Sequence, residues 1–291
     1  MKKSTKIILI IAAVFIVLGI VISSISLKDG ANIEIRREDG STDSVGEMIC
    51  EAVDRAGGYV KDQLNEVNVT GSGDYVGERS WNEASPGNEY GVPADGVSSL
   101  SIAWIAGGIE IVPVSGNEIK ISESCETPLD GETSLCWRVE NGILEIKYAA
   151  RRDELPTKYL RIELPETLEL ENVAVDTTSG CISAETMTAE KLAVSSVSGG
   201  LILSDCTVGT LSAETVSGEV RIGVRNADAR LKINTVSGDV SLLVPKGTKP
   251  TVWFDSVSGN IIGSVDCEFS EEAAFNVETV SGNLRITDGI E

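Results

Sequence analysis

Residues 233–240 read INTVSGDV, and five variants of this octapeptide recur between residues 175 and 284. The variants are VDTTSGCI, VSSVSGGL, AETVSGEV, FDSVSGNI and VETVSGNL. Successive central glycines are separated by 19, 19, 20, 21 and 23 residues. A period of about 20 residues is typical of a solenoid, in which each repeat forms one coil and stacks on its neighbours.

Apolar residues alternate on both sides of the central Ser-Gly, but the two alternations are out of phase. Leu231 and Ile233 occupy odd positions before it, whereas Val240 and Leu242 occupy even positions after it. Because alternate residues of a strand share a face, this change of phase predicts a corner at Ser-Gly. We expect the glycine to supply a backbone angle that other residues resist, and the serine hydroxyl to bond to the turn. The corner residues are Ser179, Gly180, Ser198, Gly199, Ser217, Gly218, Ser237, Gly238, Ser258, Gly259, Ser281 and Gly282.

These features predict an all-β fold, a parallel β-solenoid (β-helix) with coils of about 20 residues and two or three short strands in each. The alternative is an antiparallel sandwich, which also contains short strands at regular intervals. Because the six repeats are nearly equal in length and have the same corner motif, they favour stacked coils over the sandwich.

Two columns of side chains follow from stacked coils. One column contains the hydroxyl residues Thr177, Ser196, Thr215, Thr235, Ser256 and Thr279. An outward column contains Asp176, Ser195, Glu214, Asn234, Asp255 and Glu278. Neighbouring coils lie ~4.8 Å apart, where like charges repel. We interpret the outward column as solvated surface; a cation-binding ladder is the alternative, although no Asp-rich calcium loop supports it.

The N-terminus carries the signal of a membrane anchor. The chain begins MKKSTK, and residues 7–27 then contain no charge. A helix needs about 20 apolar residues to span a bilayer, and the preceding lysines keep the N-terminus in the cytoplasm. The alternative is a cleaved signal peptide, whose apolar core is usually shorter, ~7–15 residues. The sequence predicts a single-pass cell-membrane protein with an extracellular C-terminal domain.

Between the anchor and the repeats, residues 44–64 have helical apolar spacing, and Ser44 with Glu47 fits a capping box. We expect this short amphipathic helix either to pack on its own chain or to serve as a stalk or a partner-binding helix. Residues 69–96 are rich in Gly, Ser, Asn and Pro and indicate a linker. The predicted organisation is residues 1–27 as cytoplasmic tip and anchor, 28–96 as juxtamembrane helix and linker, and 97–291 as solenoid.

Six cysteines are present, without CxxC or zinc-ligand spacing. Cys125 and Cys136 flank residues 126–135, which suggest a hairpin loop. In an exported domain the two could join as a disulfide across paired strands; the sequence leaves reduced thiols as the other reading.

Charge and composition exclude several classes of function. The net charge is −21, and three of the 24 basic residues precede Lys28, so the rest of the chain has 21 basic and 45 acidic residues, a net of −24. Such a chain repels nucleic acid and attracts cationic ligands or basic protein patches. The chain contains no histidine, which excludes Ser-His-Asp and Cys-His catalysis. We identify no catalytic residues, cofactor site or metal site.

The repeated TVSGDV-type motif, preceded by Trp104, Gly107, Ile109 and Ile111, resembles the bacterial putative-adhesin or Toastrack domain. The resemblance covers residues 99–291. With an N-terminal anchor, the chain is similar to members linked to Lia-type and PspC-type envelope-stress systems. The resemblance implies an exported β-helical domain without catalytic residues.

The sequence therefore predicts a non-enzymatic, membrane-anchored protein that binds envelope proteins or cationic ligands. One alternative is an accessory component of envelope-stress signalling that senses cationic antimicrobials. A polysaccharide-active β-helix enzyme is a further alternative, but such a site needs acids clustered with Lys or Arg on one face. The basic residues here are scattered along the chain.

Overall fold

The computed structural model describes residues 34–36, 42–44, 89–130, 133–150, 155–263, 265–270 and 272–290. The chain divides into two compact units, residues 1–71 and 72–291. Within the first unit, β1 (Glu34–Arg36) pairs antiparallel with β2 (Thr42–Ser44). The predicted anchor at 7–27 lies outside the described residues, as does the predicted helix at 44–64 except Ser44, which ends β2. The part of the chain that is described contains no helix with the length and apolar character needed to cross a membrane.

All described elements of the second unit are strands, so the predicted all-β class is confirmed. The strands are β3 (Glu89–Pro93), β4 (Ser99–Val114), β5 (Glu118–Cys125), β6 (Cys136–Glu140), β7 (Ile143–Lys147), β8 (Lys158–Pro165), β9 (Glu169–Ser179), β10 (Ile182–Glu185), β11 (Thr188–Ser198), β12 (Leu201–Ser217), β13 (Val220–Val224), β14 (Arg230–Ser237), β15 (Val240–Pro245), β16 (Thr251–Ser258), β17 (Ile261–Gly263), β18 (Glu268–Phe269), β19 (Phe275–Ser281) and β20 (Leu284–Ile290). Because β3 pairs with β5, residues 89–93 belong to the sheet rather than to the predicted linker.

The repeats form parallel stacked coils, and each coil is named here after its corner glycine. A strand that leads into the glycine lies on the entry face, and a strand that leaves it lies on the exit face. Strand β11 illustrates the entry face, since it pairs in parallel with β9 on one side and β12 on the other. These pairings rule out the antiparallel sandwich for the repeats.

The change of phase at the corner is visible in the burial of the Gly238 coil. Leu231 and Ile233 on the entry face are buried, and so are Val240 and Leu242 on the exit face. Both sets therefore point into one apolar core between the two faces, as the alternation predicts. Aliphatic side chains dominate that core.

A seventh coil, unrecognised as a repeat in the sequence, precedes the six. Residues 99–106 of β4 pair with β9, and Ala106 aligns with Ser179, so Gly107 takes the corner position. Strand β4 continues through this corner and pairs with β10 on the exit face. The WIAG of residues 104–107 thus replaces the TVSG of the other coils.

At the C-terminal end the coils do not stack in the order in which they follow one another along the chain. The Gly238 coil contacts the last coil in the sequence, that of Gly282, through β14 and β19. The Gly259 coil lies beyond it, because β16 pairs with β19 and β17 pairs with β20. The spatial order of corner glycines is Gly107, Gly180, Gly199, Gly218, Gly238, Gly282 and Gly259.

Side-chain burial explains this exchange. The Gly282 coil presents Phe275, Val277, Leu284 and Ile286 to the core, and all four are buried. The exit strand of the Gly259 coil has three residues, all exposed. A coil with a complete apolar set gains most when it has neighbours on both sides, whereas the shorter coil loses less by lying at the end.

At the other end of the solenoid, β7 and β8 continue the parallel stack beside β4, and antiparallel strands then close it. On the exit face β5 pairs antiparallel with β8 and β3, and on the entry face β6 pairs antiparallel with β7. Strands β5 and β6 therefore lie on different faces, and the hairpin expected around residues 126–135 is wrong. Cys125 lies opposite Lys158, and Cys136 lies opposite Lys147. Both cysteines are thiols in the structure rather than halves of a disulfide.

Candidate interaction surface

The corner glycines form a column in which each coil touches the next through backbone atoms. The N–H of Gly238 donates to the Ser281 carbonyl at 3.1 Å, and the N–H of Gly218 donates to the Ser237 carbonyl at 3.2 Å. A Cβ on Gly238 would lie far inside van der Waals contact of the Gly218 carbonyl oxygen. The same overlap with a backbone carbonyl occurs at Gly107, Gly180, Gly199, Gly218, Gly259 and Gly282.

All the corner glycines lie too close to the backbone of a neighbouring strand to accept a Cβ, whereas only some of them have a positive φ. Gly238 has φ of 149°, in the region that side chains resist, but Gly259 and Gly282 do not have positive φ. The serine carbonyl, rather than its hydroxyl, makes the hydrogen bond between coils. Another residue could therefore take the place of a corner serine, because it would supply the same backbone carbonyl. A larger residue in place of a corner glycine would overlap the neighbouring backbone.

The predicted hydroxyl column lies inside the corner rather than on a surface. Thr177, Thr235 and Thr279 are buried. Their hydroxyl oxygens, and those of Ser196 and Ser256, have no hydrogen-bond partner among the described residues. Since solvent and ligands cannot reach these groups, the column is part of the packing and not a candidate binding site.

The outward acidic column changes its order because of the exchanged coils. Glu278 lies between Asn234 and Asp255, so Asp255 rather than Glu278 ends the column, and the two acidic residues stay neighbours. At the other end, burial raises the pKa of Asp176; a hydrogen bond with Ser195 opposes this rise, and the charge of Glu214 adds to it. Within the described ranges no three acidic or cysteine side chains are grouped to hold a metal ion.

A polar groove of about 420 Å³ lies on the exit face near the Gly259 end. Arg221 is held by two hydrogen bonds to Glu219, at 2.7 and 2.8 Å. Arg285 is exposed, lies next to Ser241 in the register and makes no ion pair with any described residue. The lining residues are Glu219, Arg221, Asp239, Ser241, Ile262, Asn283 and Arg285. The groove therefore offers cationic hydrogen-bond donors and anionic acceptors side by side.

An exposed apolar region adjoins this groove. Nine large apolar side chains are exposed among the described residues, and four of them lie between residues 257 and 269. They are Val257, Ile261, Ile262 and Phe269, and Phe269 is 66% exposed. Ile262 also lines the groove. We use the name Gly259 surface for the groove together with these four side chains, of which Ile261 and Ile262 lie on the exit face. Sequence reasoning missed it. Ile261 holds a position that is buried in the neighbouring coil, but Ile262 aligns with the outward Arg285 and Ser241, and this apolar residue in the outward phase was an available signal.

The most unusual charges of the domain are buried at the opposite end. Lys158 Nζ lies 3.0 Å from Glu123 Oε2, and both side chains are fully buried. The ammonium also donates to the Thr133 carbonyl and lies 4.7 Å from the centre of the Tyr148 ring. Burial raises the pKa of Glu123, while the Lys158 charge and the Leu135 N–H oppose the rise. The pair and the groups it contacts all lie within residues 115–165, so its role is to join β5 to β8 inside the closing segment.

The sequence matches the family described as Toastrack DUF4097 over residues 92–287. A structure described as a "putative cell adhesion protein" from Clostridium sporogenes ATCC 15579 is 13% identical, with a TM-score of 0.42, and the match covers 72% of this chain and 100% of that one. A "putative adhesin" from Bacteroides fragilis NCTC 9343 is 12% identical, with a TM-score of 0.37 and coverage of 69% and 96%. A "putative lipid binding protein" from Parabacteroides distasonis ATCC 8503 is 13% identical, with a TM-score of 0.37 and coverage of 70% and 98%. No curated protein matches the chain.

Proposed function

The chain belongs to the Toastrack DUF4097 family, and from this premise we propose that it is a non-enzymatic, membrane-anchored protein whose extracellular solenoid binds other proteins of the cell envelope. The observation that carries the proposal is the Gly259 surface. Exposed apolar side chains beside a polar groove are typical of protein–protein contact sites.

The composition of the chain supports the location and the kind of partner. Residues 7–27 are long enough to span a bilayer, and the lysines before them favour a cytoplasmic N-terminus. The net charge of −24 beyond that segment attracts basic surfaces and repels nucleic acid.

Protease accessibility tests the location. Wall-stripped intact cells are treated with a protease, and the fate of an epitope at the C-terminus is followed by immunoblotting. We expect loss of the epitope without lysis, while a cytoplasmic marker stays intact. A domain that is digested only after lysis would contradict the proposed topology.

A sensor of cationic antimicrobials is the second candidate function, and the high negative charge favours it. Nonspecific attraction to cations weakens with salt, since the Debye length falls from ~10 Å at 0.1 M to ~3 Å at 1 M. A sensor requires binding that persists at high salt and distinguishes an antimicrobial peptide from a scrambled peptide of equal charge. We expect weak, salt-sensitive binding of both peptides; tight, salt-resistant binding of the antimicrobial alone would favour the sensor.

A further inference from the structure

We propose that the side chains of Lys158 and Glu123 condense in the folded chain to an amide bond that joins β8 to β5, with loss of one water molecule. This modification is independent of the interaction role proposed above, so the failure of one leaves the other standing.

The pairing of β5 with β8 brings the two side chains together. In the antiparallel register, Glu123 lies opposite Leu160 and Lys158 lies opposite Cys125. The two charged residues are therefore diagonal neighbours on one face of the sheet, a separation that long side chains span. Lys158 Nζ lies 3.0 Å from Glu123 Oε2, and both side chains are fully buried.

The amine of Lys158 is held in place at both ends of its side chain. The Lys158 carbonyl accepts a hydrogen bond from Trp104 Nε1 at 3.2 Å, which fixes the backbone. Nζ donates to the Thr133 carbonyl and lies 4.7 Å from the centre of the Tyr148 ring. Groups that are oriented in this way react far faster than the same groups free in solution.

Burial favours the uncharged forms that the reaction requires. An ammonium and a carboxylate are costly to remove from water. A proton that passes from Nζ to Oε2 along their 3.0 Å hydrogen bond leaves a neutral amine beside a neutral carboxylic acid. Burial raises the pKa of Glu123, although the Lys158 charge and the Leu135 N–H oppose this rise. A neutral lysine amine in a dry site is an effective nucleophile.

The condensation needs no reagent from outside the site. The Nζ lone pair forms a bond to Glu123 Cδ, and negative charge develops on Oε1. The Leu135 N–H donates to Oε1 at 2.5 Å, and a donor at this position stabilises the developing charge. A second amine proton passes to Oε2, the Cδ–Oε2 bond breaks, and water leaves. The ammonium and the carboxylate together contain the atoms of one amide and one water, and no group is oxidised or reduced.

The same burial preserves the product. Solvent does not touch either side chain, so hydrolysis of the amide lacks its second reactant. The bond would close the chain between residues 123 and 158 into a covalent loop. Such a loop restricts the unfolded chain as a disulfide does, and so it stabilises the folded one.

Tryptic cleavage of the wild-type protein tests the proposal. The full-length chain is extracted in detergent, denatured, reduced, alkylated and digested. An amide on Lys158 blocks cleavage of the Lys158–Tyr159 bond, and the Lys147–Tyr148 bond, with the same two residue types, is the matched control. We expect complete cleavage after Lys147 and loss of cleavage after Lys158.

Mass spectrometry of the same digest identifies the bond. Glu123 belongs to the tryptic peptide 121–138, and Lys158 belongs to 153–161 when the bond after it is not cut. We expect one product with the summed mass of these two peptides less one water, and fragmentation should place the link at Glu123. A link at another acid of peptide 121–138 would overturn the assignment. Recovery of unlinked peptides that are cut after Lys158 would overturn the proposal.

Two variants distinguish the amide from an ion pair. Lys158→Arg keeps a cation beside Glu123, but guanidinium is not deprotonated and does not attack a carboxyl group. After correction for the residue exchange, its intact mass should exceed that of the wild type by one water. Lys249→Arg is the control at the exposed pair with Asp266, and its corrected mass should equal that of the wild type.

The intact masses are measured on denatured chains, so the comparison does not require that Lys158→Arg folds as well as the wild type. Equal corrected masses of the wild type and Lys158→Arg would overturn the proposal. A water deficit that persists in Lys158→Arg would place the bond elsewhere in the chain and overturn it equally.

Discussion

The Gly107 and Gly259 ends of the solenoid terminate the same stack of coils in opposite ways. At the Gly107 end, Lys158 and Glu123 form a fully buried ion pair, and Trp104 packs edge-on against Tyr148 with ring centres 5.2 Å apart. At the Gly259 end, the exit strand has three exposed residues, and Lys249 pairs with Asp266 at 3.6 Å in full contact with solvent.

The difference shows that a repeat cannot terminate its own stack. Residues 115–165 close the Gly107 end; they lack the repeated motif and contribute two parallel strands beside β4 and antiparallel strands beyond them. The Gly259 end consists of the repeat itself, so it keeps the edge and apolar side chains of a coil that could receive a neighbour. The first end is therefore a stability element, and the second is suited to contact with a partner.

The largest expected effect comes from breaking the buried pair. Lys158→Met leaves Glu123 buried without its cation, and we expect it to lower the free energy of unfolding by about 3–5 kcal/mol. Chemical denaturation of the purified protein measures this loss. Lys249→Met at the exposed pair is the control and should leave the denaturation midpoint unchanged.

The double variant Glu123→Leu with Lys158→Met should recover part of the loss, because no charge remains buried. Recovery should be incomplete, since the Leu135 N–H loses its acceptor. Equal, small effects of Lys158→Met and Lys249→Met would show that the Gly107 end does not depend on the pair.

Alanine substitutions at an interior and at a terminal corner glycine have smaller expected effects, and they test whether the Gly259 coil can shift more easily than an interior coil. Gly238→Ala combines a positive φ with overlap of the Gly218 carbonyl, and we expect a loss of about 3 kcal/mol. Gly259→Ala meets the Gly282 carbonyl, but its coil has a neighbour on one side and can shift, so we expect about 1 kcal/mol.

Gly116→Ala separates the two causes, because Gly116 has φ of 131° and open space around its Cα. Its loss, about 1 kcal/mol, reports backbone strain alone. All three values come from denaturant titrations. A loss at Gly259 as large as that at Gly238 would mean that the Gly259 coil is held as firmly as an interior coil.

The smallest expected effect concerns the serine beside the glycine. The Ser237 hydroxyl makes no hydrogen bond to a described residue, and its carbonyl, which every residue has, accepts from Gly218. Ser237→Ala in the interior and Ser258→Ala at the end should each change the free energy of unfolding by less than about 0.5 kcal/mol. Thermal melts compare the two. A loss at Ser237 near that of Gly238→Ala would give the hydroxyl a role in the corner.

The sequence predicted the repeated coils and their corners well, but it predicted poorly how residues 99–165 form and close the Gly107 end. The phase change around residues 237–238 located the corner, because strand alternation is a local property. The Gly107 corner was missed, since Trp104 and Ala106 replace the usual Thr and Ser. The signal available was the alternating GIEI that follows Gly107, which matches the exit strand of the other coils.

The hairpin predicted around residues 126–135 is wrong for a related reason. Cys125 and Cys136 are close in sequence, which favoured a hairpin, but the strands that carry them belong to opposite faces. Local sequence cannot show that a short connection crosses from one face to the other. The buried pair of Lys158 and Glu123 was equally hidden, because the residues are far apart in the chain and each looks like an ordinary surface charge.

The sequence by itself determined that the chain forms stacked β coils, where the six recognised coils turn, and that their corners require glycine. These properties depend on the period, on alternation and on residue size, all of which act within one repeat. Only the tertiary structure decided the order of the coils and the nature of the two ends. Six nearly equivalent repeats can pair in more than one order, so the choice between Gly282 and Gly259 as the terminal coil depends on how much apolar surface each one buries between its neighbours.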